Sequence, residues 1–162
     1  MEIDGLPLHA LVLHAAVVFT PLAGLFAIVF AALPRWRYLT RWPTAALTLI
    51  ALGSVWMARI SGMALASDRG LDQLAAVQKH QARGVQLSLL MILFTVVVAV
   101  AVWGLSGPTG FASGRGGQVA PVAILDKVLP LVLILAAILV LVWVFLTGDA
   151  GSRAVWLQPN GG

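Results

Sequence analysis

The chain contains no cysteine, which excludes disulfides, thiolate metal sites, iron–sulfur clusters and cysteine nucleophiles. Charge is scarce as well: Asp, Glu, Lys and Arg make up 10% of the 162 residues, against about 25% in soluble domains. No phosphate-binding glycine motif sits on a strand-to-helix turn, and there is no HExxH, no G-x-S-x-G and no carboxylate pair within an apolar run. These absences remove the common NTPase, metalloprotease and serine-hydrolase chemistries. Short segments of alternating hydrophobicity, the mark of a membrane barrel, are lacking too.

What remains is apolar. Hydrophobic residues make up 60% of the chain, and the mean hydropathy is +0.99. Runs at about 8–33, 44–66, 84–105 and 122–147, the last most apolar from 128 onward, supply the roughly 20 apolar residues needed to cross a 30 Å hydrocarbon core. Backbone groups in lipid must be bonded within their own segment, so helices are the required reading. The expected fold is all-α and integral to the membrane, a single domain over 1–162 built as a bundle of four transmembrane helices. Connections are expected at 34–43, 67–83 and 106–121, and no internal repeat of convincing length stands out. Glu2 and Asp4 occupy the place where a secretory signal carries positive charge, so the first apolar run reads as mature structure.

The formal charge of +4 comes from basic residues scattered over the connections; no dense stripe suits nucleic acid, and topology control explains them better. Arg35, Arg37, Arg41, Arg115 and Lys127 fall on one side of the bilayer, and Arg69, Lys79, Arg83 and Arg153 on the other. The first connection is the densest, so the positive-inside rule places both termini outside the cytoplasm, in an inner or plasma membrane. Trp36, Trp42, Trp103 and Trp156 fall near helix ends as interface anchors do, while Trp56 and Trp143 lie deeper as packing residues.

One membrane face collects the informative polar residues: His9, His14, Arg59, His80, Arg83, Asp149 and Arg153, with Asp68 and Asp72 close by. Arg59 lies inside the second apolar run, where an arginine costs about 2.5 to 3.5 kcal/mol on insertion scales and normally finds a partner. Asp149 is the expected partner, across helices 2 and 4. Ser54, Ala58, Gly62 and Ala66 form a small-residue stripe for helix packing, and Ala23, Ala27 and Ala31 form another. Pro21 frees a carbonyl in helix 1 that Thr20 could help to satisfy.

His9 and His14 are about 140° apart around a helix and cannot chelate one metal from one face. A b-type haem needs opposed histidines from two helices. His9 with His80, or His14 with His80, is the pairing left open, alongside an interfacial or hydrogen-bonding role for all three and a role in proton handling. No other metal-ligand set is present, and Met57, Met63 and Met91 read as core residues.

The stretches "GLPLHALVLHAAVVFTPLAGL", "VQKHQARG" and "LTGDAGSRAVW" together resemble the four-helix bacterial membrane family known as domain of unknown function 2231, especially its actinobacterial members. The family pattern has a histidine followed by proline and then a second histidine. Here Ala10 follows His9, and His14 stands at the second position. Gly148, Asp149, Gly151 and Trp156 match the last stretch. The resemblance implies the four-helix fold.

Function is read from what is missing. Lacking a catalytic constellation, the chain is expected to be a non-catalytic accessory or assembly subunit of a larger membrane complex, with a respiratory complex as the leading host and no cofactor of its own. Its expected partners are the lipid bilayer and other membrane subunits. The alternative is a small redox protein binding haem or a metal through His9, His14 and His80.

Overall fold

A computed structural model describes residues 2–3, 6–107 and 124–156. Two short strands, β1 (Glu2–Ile3) and β2 (Leu6–Pro7), pair antiparallel ahead of α1 (Leu8–Ala32). α1 stops because Pro34 disfavours helical backbone at the residue before it, and Leu33 sits at φ −118°, ψ 83°. A 3-10 turn over Pro34–Trp36 leads directly into α2 (Arg37–Asp68). α3 spans Ala75–Gly104 and α4 spans Leu125–Trp156. All four helices are long and apolar enough to cross a membrane, so this is a multi-pass helical membrane protein.

Three of the helices outrun their hydrophobic segments. α2 starts about two turns before residue 44, α3 more than two turns before residue 84, and α4 runs more than two turns past residue 147. Hydropathy falls where charged residues begin, but a helix of 32 residues is about 48 Å long and keeps its backbone bonds beyond the hydrocarbon. "RYLTRW" and "GSRAVW" are therefore helical, and the first connection shrinks to a single turn. Residues 122 and 123, Arg115 and most of the 106–121 connection lie outside the described residues, as does the side chain of Trp156.

The C-terminus of α2 closes on Gly70, whose φ of +64° is the left-handed conformation that favours glycine. Gly70 N–H donates to Ser67 O and Leu71 N–H to Ala66 O, satisfying two carbonyls that a helix end otherwise leaves open.

The helices pack in a ring, each against its two sequence neighbours, with α4 returning to α1. The centre is filled by small residues and a few large ones: Ala23, Ala27, Phe30, Met91, Phe94 and Leu133 are all fully buried. Large aliphatic and aromatic side chains face outward, with Phe145 74% and Trp103 70% exposed, as expected where lipid is the solvent. Thr20 does not satisfy the carbonyl freed by Pro21: its buried Oγ1 has no hydrogen-bond partner among the described residues.

Two arginines close one end of this ring. Arg37 and Arg41, assigned by sequence to a connection, lie one turn apart on α2 and are 3% and 2% exposed. Arg37 donates to the carbonyls of Phe30 (3.3 Å) and Ala31 (3.4 Å) at the end of α1, and to Ser106 O (2.7 Å) beyond α3. It also pairs with Asp126 Oδ1 at 3.3 Å, and the same carboxylate accepts Ser106 N–H at 2.9 Å. Arg41 donates to the carbonyls of Val102 and Leu105 and lies 5.5 Å from the Phe30 ring centre. Helix C-termini present unbonded carbonyls and partial negative charge. The guanidinium groups take up both from inside the bundle. Asp126, in the first turn of α4, sits where the helix dipole favours an acid.

Candidate functional site

At the opposite end, two histidines are held by the same device used twice. In a helix the Cβ of residue i+4 leans back toward the carbonyl of residue i and shields it. A glycine at i+4 uncovers that carbonyl. α2 has this arrangement at Ala58 and Gly62, and α4 has it at Thr147 and Gly151.

His9, near the start of α1, donates from Nδ1 to Ala58 O at 2.9 Å. His80, early in α3, donates from Nδ1 to Thr147 O at 3.1 Å. A Cβ built on Gly62 would lie 2.9 Å from Cε1 of His9 and 3.1 Å from its Nδ1; Gly151 gives the same two distances to His80. Each imidazole therefore seats its Nδ1–Cε1 edge on a bare stretch of backbone in its hairpin partner. The repeat that the sequence does not display is thus a repeat of contacts: α1 on α2, and α3 on α4. His80 lies within α3, not a turn before it.

A carbonyl can only accept, so both rings donate from a protonated Nδ1, and in a neutral imidazole Nε2 is then the lone-pair nitrogen. The ring centres are 6.5 Å apart and the planes are inclined at 76°. Buried Ser61 supports the first ring, with Oγ 3.4 Å from His9 Nδ1 while donating to Met57 O at 2.7 Å.

His14 does not join them. It is exposed, and its Nδ1 donates to Ala10 O in its own helix at 2.6 Å. Of the pairings left open by the sequence, the structure brings together His9 and His80.

The expected ion pair between Arg59 and Asp149 does not form. In the ring order, α2 and α4 occupy diagonal positions, whereas Arg153 stands one turn from Asp149 on the same helix and bonds it with Nε at 2.9 and 3.1 Å. Arg59 turns instead toward α3, where its guanidinium is 3.4 Å from Ser88 Oγ, and lies 5.1 Å from the Trp56 ring centre. Arg83 lies 5.8 Å from the Trp143 ring centre, and Trp143 Nε1 donates to Gln86 at 3.2 Å. Trp56 and Trp143 are therefore partners for cations as well as packing residues.

Of the small-residue stripe, Ala58 and Ala66 are buried and Gly62 receives His9, while Ser54 bonds back to Ile50 O. Gly151 enters the sequence reading only through the last family-like stretch, and its place beneath His80 is not foreseen there, nor is the role of Thr147. The spacing signal, a small or hydroxylated residue four before a glycine, is present at both places. It becomes specific only when a histidine on the neighbouring helix is known to be level with it.

An apolar groove of about 570 Å³ runs between α1 and α4, lined by Val17, Pro21, Leu141, Val144, Phe145 and Gly148, with Asp149 and Ser152 also on its wall. It reaches the residue that follows Thr147, the anchor of His80.

The fold and this end of the bundle define a multi-pass helical membrane protein with a histidine pair held between two hairpins. No protein-family model matches the chain, and no curated protein or solved structure is detectably similar to it.

Proposed function

We propose that this chain is a small membrane redox protein that binds a b-type haem, or a closely related metal macrocycle, between His9 and His80. The observation that carries this reading is the 6.5 Å separation of two imidazoles whose Nδ1 protons are both engaged by backbone carbonyls. With metal–nitrogen bonds of about 2.0 to 2.1 Å, two imidazoles in line across a metal have ring centres roughly 6.3 Å apart, whereas a tetrahedral pair brings them to about 5.1 Å. The ring centres stand at about the spacing that two imidazoles holding one metal would need. Two protein nitrogens alone would suit a group that brings its remaining ligands with it. Among the described residues there is no cluster of three or more His, Cys, Asp or Glu to complete a site for a bare ion.

Fixing Nδ1 to a carbonyl sets the tautomer and orients the ring, as outer-shell partners of metal-bound histidines do. The apolar groove beside Gly148 is separate from this pair, since neither His9 nor His80 lines it. A haem held by His9 and His80 would supply one-electron chemistry, and the chain would supply the two imidazole nitrogens.

The test is an absorption spectrum of the purified protein, oxidised and reduced. Low-spin bis-imidazole bands are expected, lost in both His9→Ala and His80→Ala and kept in His14→Ala. Bands that persist without His9 and His80, or no binding of haem at all, overturn the reading.

A second reading, an accessory subunit of a larger membrane complex with a respiratory complex as the leading host, draws support from the wide apolar faces of α3 and α4, where Trp103 and Phe145 stand out. Native separation of gently solubilised membranes tests it, co-migration with a larger species being the expected result. We further propose, on the three stretches that resemble it, a relation to the family known as domain of unknown function 2231, and a topology with both termini outside the cytoplasm. A cysteine at exposed Ser152 should then be labelled by an impermeant reagent in intact cells, and one at exposed Arg35 should not.

A further inference from the structure

We propose that the groove between α1 and α4 binds one phospholipid with a primary-ammonium headgroup, phosphatidylethanolamine, whose acyl chain lies along the apolar wall while its headgroup meets Asp149, Ser152 and Arg153. None of His9, His80 and Arg59 lines this groove, so the inference stands apart from the haem reading.

The shape of the groove comes mainly from α4. Leu141, the pairs Val144–Phe145 and Gly148–Asp149, and Ser152 recur every three to four residues and so share one face of that helix. Val17 and Pro21 of α1 form the facing wall. Toward the bundle middle the two helices close on each other, since a Cβ built on Gly24 would lie 3.0 Å from Leu141 Cγ. At Gly148 there is open space, with nothing within 4 Å of a Cβ built there. The groove is therefore shut at depth and open toward the histidine end.

Its chemistry changes along that length. From Leu141 to Phe145 the α4 wall carries no polar side chain, whereas Asp149 and Ser152 stand at the other end, just past residue 147, where the apolar run of α4 stops. The apolar part, Leu141 to Gly148, runs roughly 10 Å along the axis, within the depth of about 15 Å of one leaflet. A cleft that begins in polar groups at the membrane surface and turns apolar within one leaflet has the layout of a lipid, head outward and tail inward.

The polar end selects the head. Asp149 puts a half-exposed carboxylate on the wall, which repels an anionic lipid. Ser152 donates its proton to Asp149 O at 2.9 Å, so its Oγ offers lone pairs beside that carboxylate. Arg153 bonds Asp149 through Nε alone, and its terminal nitrogens carry donors that suit a phosphate. A positive and a negative group side by side complement a zwitterionic headgroup. A primary ammonium brings three N–H donors to the acceptors at Asp149 and Ser152; the trimethylammonium of a choline lipid brings none.

The experiment is native mass spectrometry of the purified chain released from mixed micelles that hold equal amounts of phosphatidylethanolamine, phosphatidylcholine and phosphatidylglycerol with identical acyl chains. The native chain is expected to retain the ethanolamine lipid about threefold or more above the other two, the scale of an ion pair partly open to water. Asp149→Asn should bring its ratio to the choline lipid down to about one, with lipid still bound. Gly148→Leu, which fills the groove, should lower retention of all three. Asp149 is a surface position whose substitution leaves the packing intact, so the headgroup comparison is readable even if Gly148→Leu does not fold. Equal retention of the three lipids by the native chain, or an undiminished preference in Asp149→Asn, overturns the headgroup assignment. Undiminished retention in folded Gly148→Leu puts the lipid elsewhere and overturns the site. A native chain that retains no lipid overturns the proposal as well, and a dimer dissociated by Gly148→Leu would then assign the groove to a second copy.

Discussion

The two ends of the bundle use polar groups in opposite ways. At the arginine end, Arg37 and Arg41 donate to carbonyls of α1 and of the α3 terminus and Asp126 balances one of the charges, while the buried Nε of Arg41 has no partner among the described residues. At the histidine end, each imidazole spends one nitrogen on backbone and keeps the other, while the guanidinium of Arg59 has a single long contact. A set of polar groups satisfied within the chain holds helices together. On the function proposed above, the second set would hold a ligand. Burial does not separate the two cases, since both ends place charged or titratable side chains against the bundle interior. What separates them is the carboxylate: Asp126 pairs with Arg37 at one end, and no carboxylate pairs with Arg59 among the described residues.

The contrast is broken most severely by removing Arg37. Arg37→Met deprives several carbonyls of their donor and leaves Asp126 without its cation. We expect a loss of about 3 kcal/mol, at the lower end for a buried pair because the Asp126 side chain keeps 29% exposure. Denaturation in detergent measures it, and the histidine-dependent spectrum of the protein that remains folded should be unaltered. A stability equal to that of the native chain would mean that this end is not the structural clamp.

A smaller effect at the other end sharpens the comparison. Gly62→Ala and Gly151→Ala each put a Cβ at 2.9 Å from a histidine Cε1, so the ring must shift. Overpacking of this kind costs about 1 to 3 kcal/mol, and here it falls on ligand affinity, because the displaced ring no longer meets its carbonyl. Gly148→Ala is the control: it lies less than one turn from Gly151 on α4 with nothing within 4 Å of a new Cβ, and it should bind as the native chain does. Equal affinity for all three variants would show that the bare carbonyls do not set the ring positions. The smallest effect is expected from Asp149→Asn, which removes an exposed pair within one helix. Neither stability nor binding at the histidines should change measurably, and a double-mutant cycle with Arg59→Gln should give no coupling.

Much of this architecture is legible in the sequence. Runs of apolar residues long enough to span a bilayer dictate helices wherever lipid denies the backbone other partners, so the number of helices, their order and the shared location of His9 and His80 at one end follow from the pattern of residues. That the bundle centre takes alanine and leaves leucine to the lipid is also readable from the small-residue stripes. Where a helix stops is not, because hydropathy marks the edge of the hydrocarbon and not the end of the hydrogen-bond ladder. Arg37 and Arg41 look like connection residues for that reason. Only the packing shows a reach inward to the termini of two other helices.

Partner choice belongs entirely to the tertiary structure. Arg59 and Asp149 carry opposite charges near the same end, yet the ring order puts their helices on a diagonal and leaves Asp149 to Arg153. His14 and His9 look alike in sequence, but only His9 meets a carbonyl uncovered by glycine on a neighbouring helix. Composition and periodicity fix which surfaces must avoid water, because that free energy is summed over many residues. A 6.5 Å separation between two rings depends on the rotation and height of four helices at once, and no one segment carries that information.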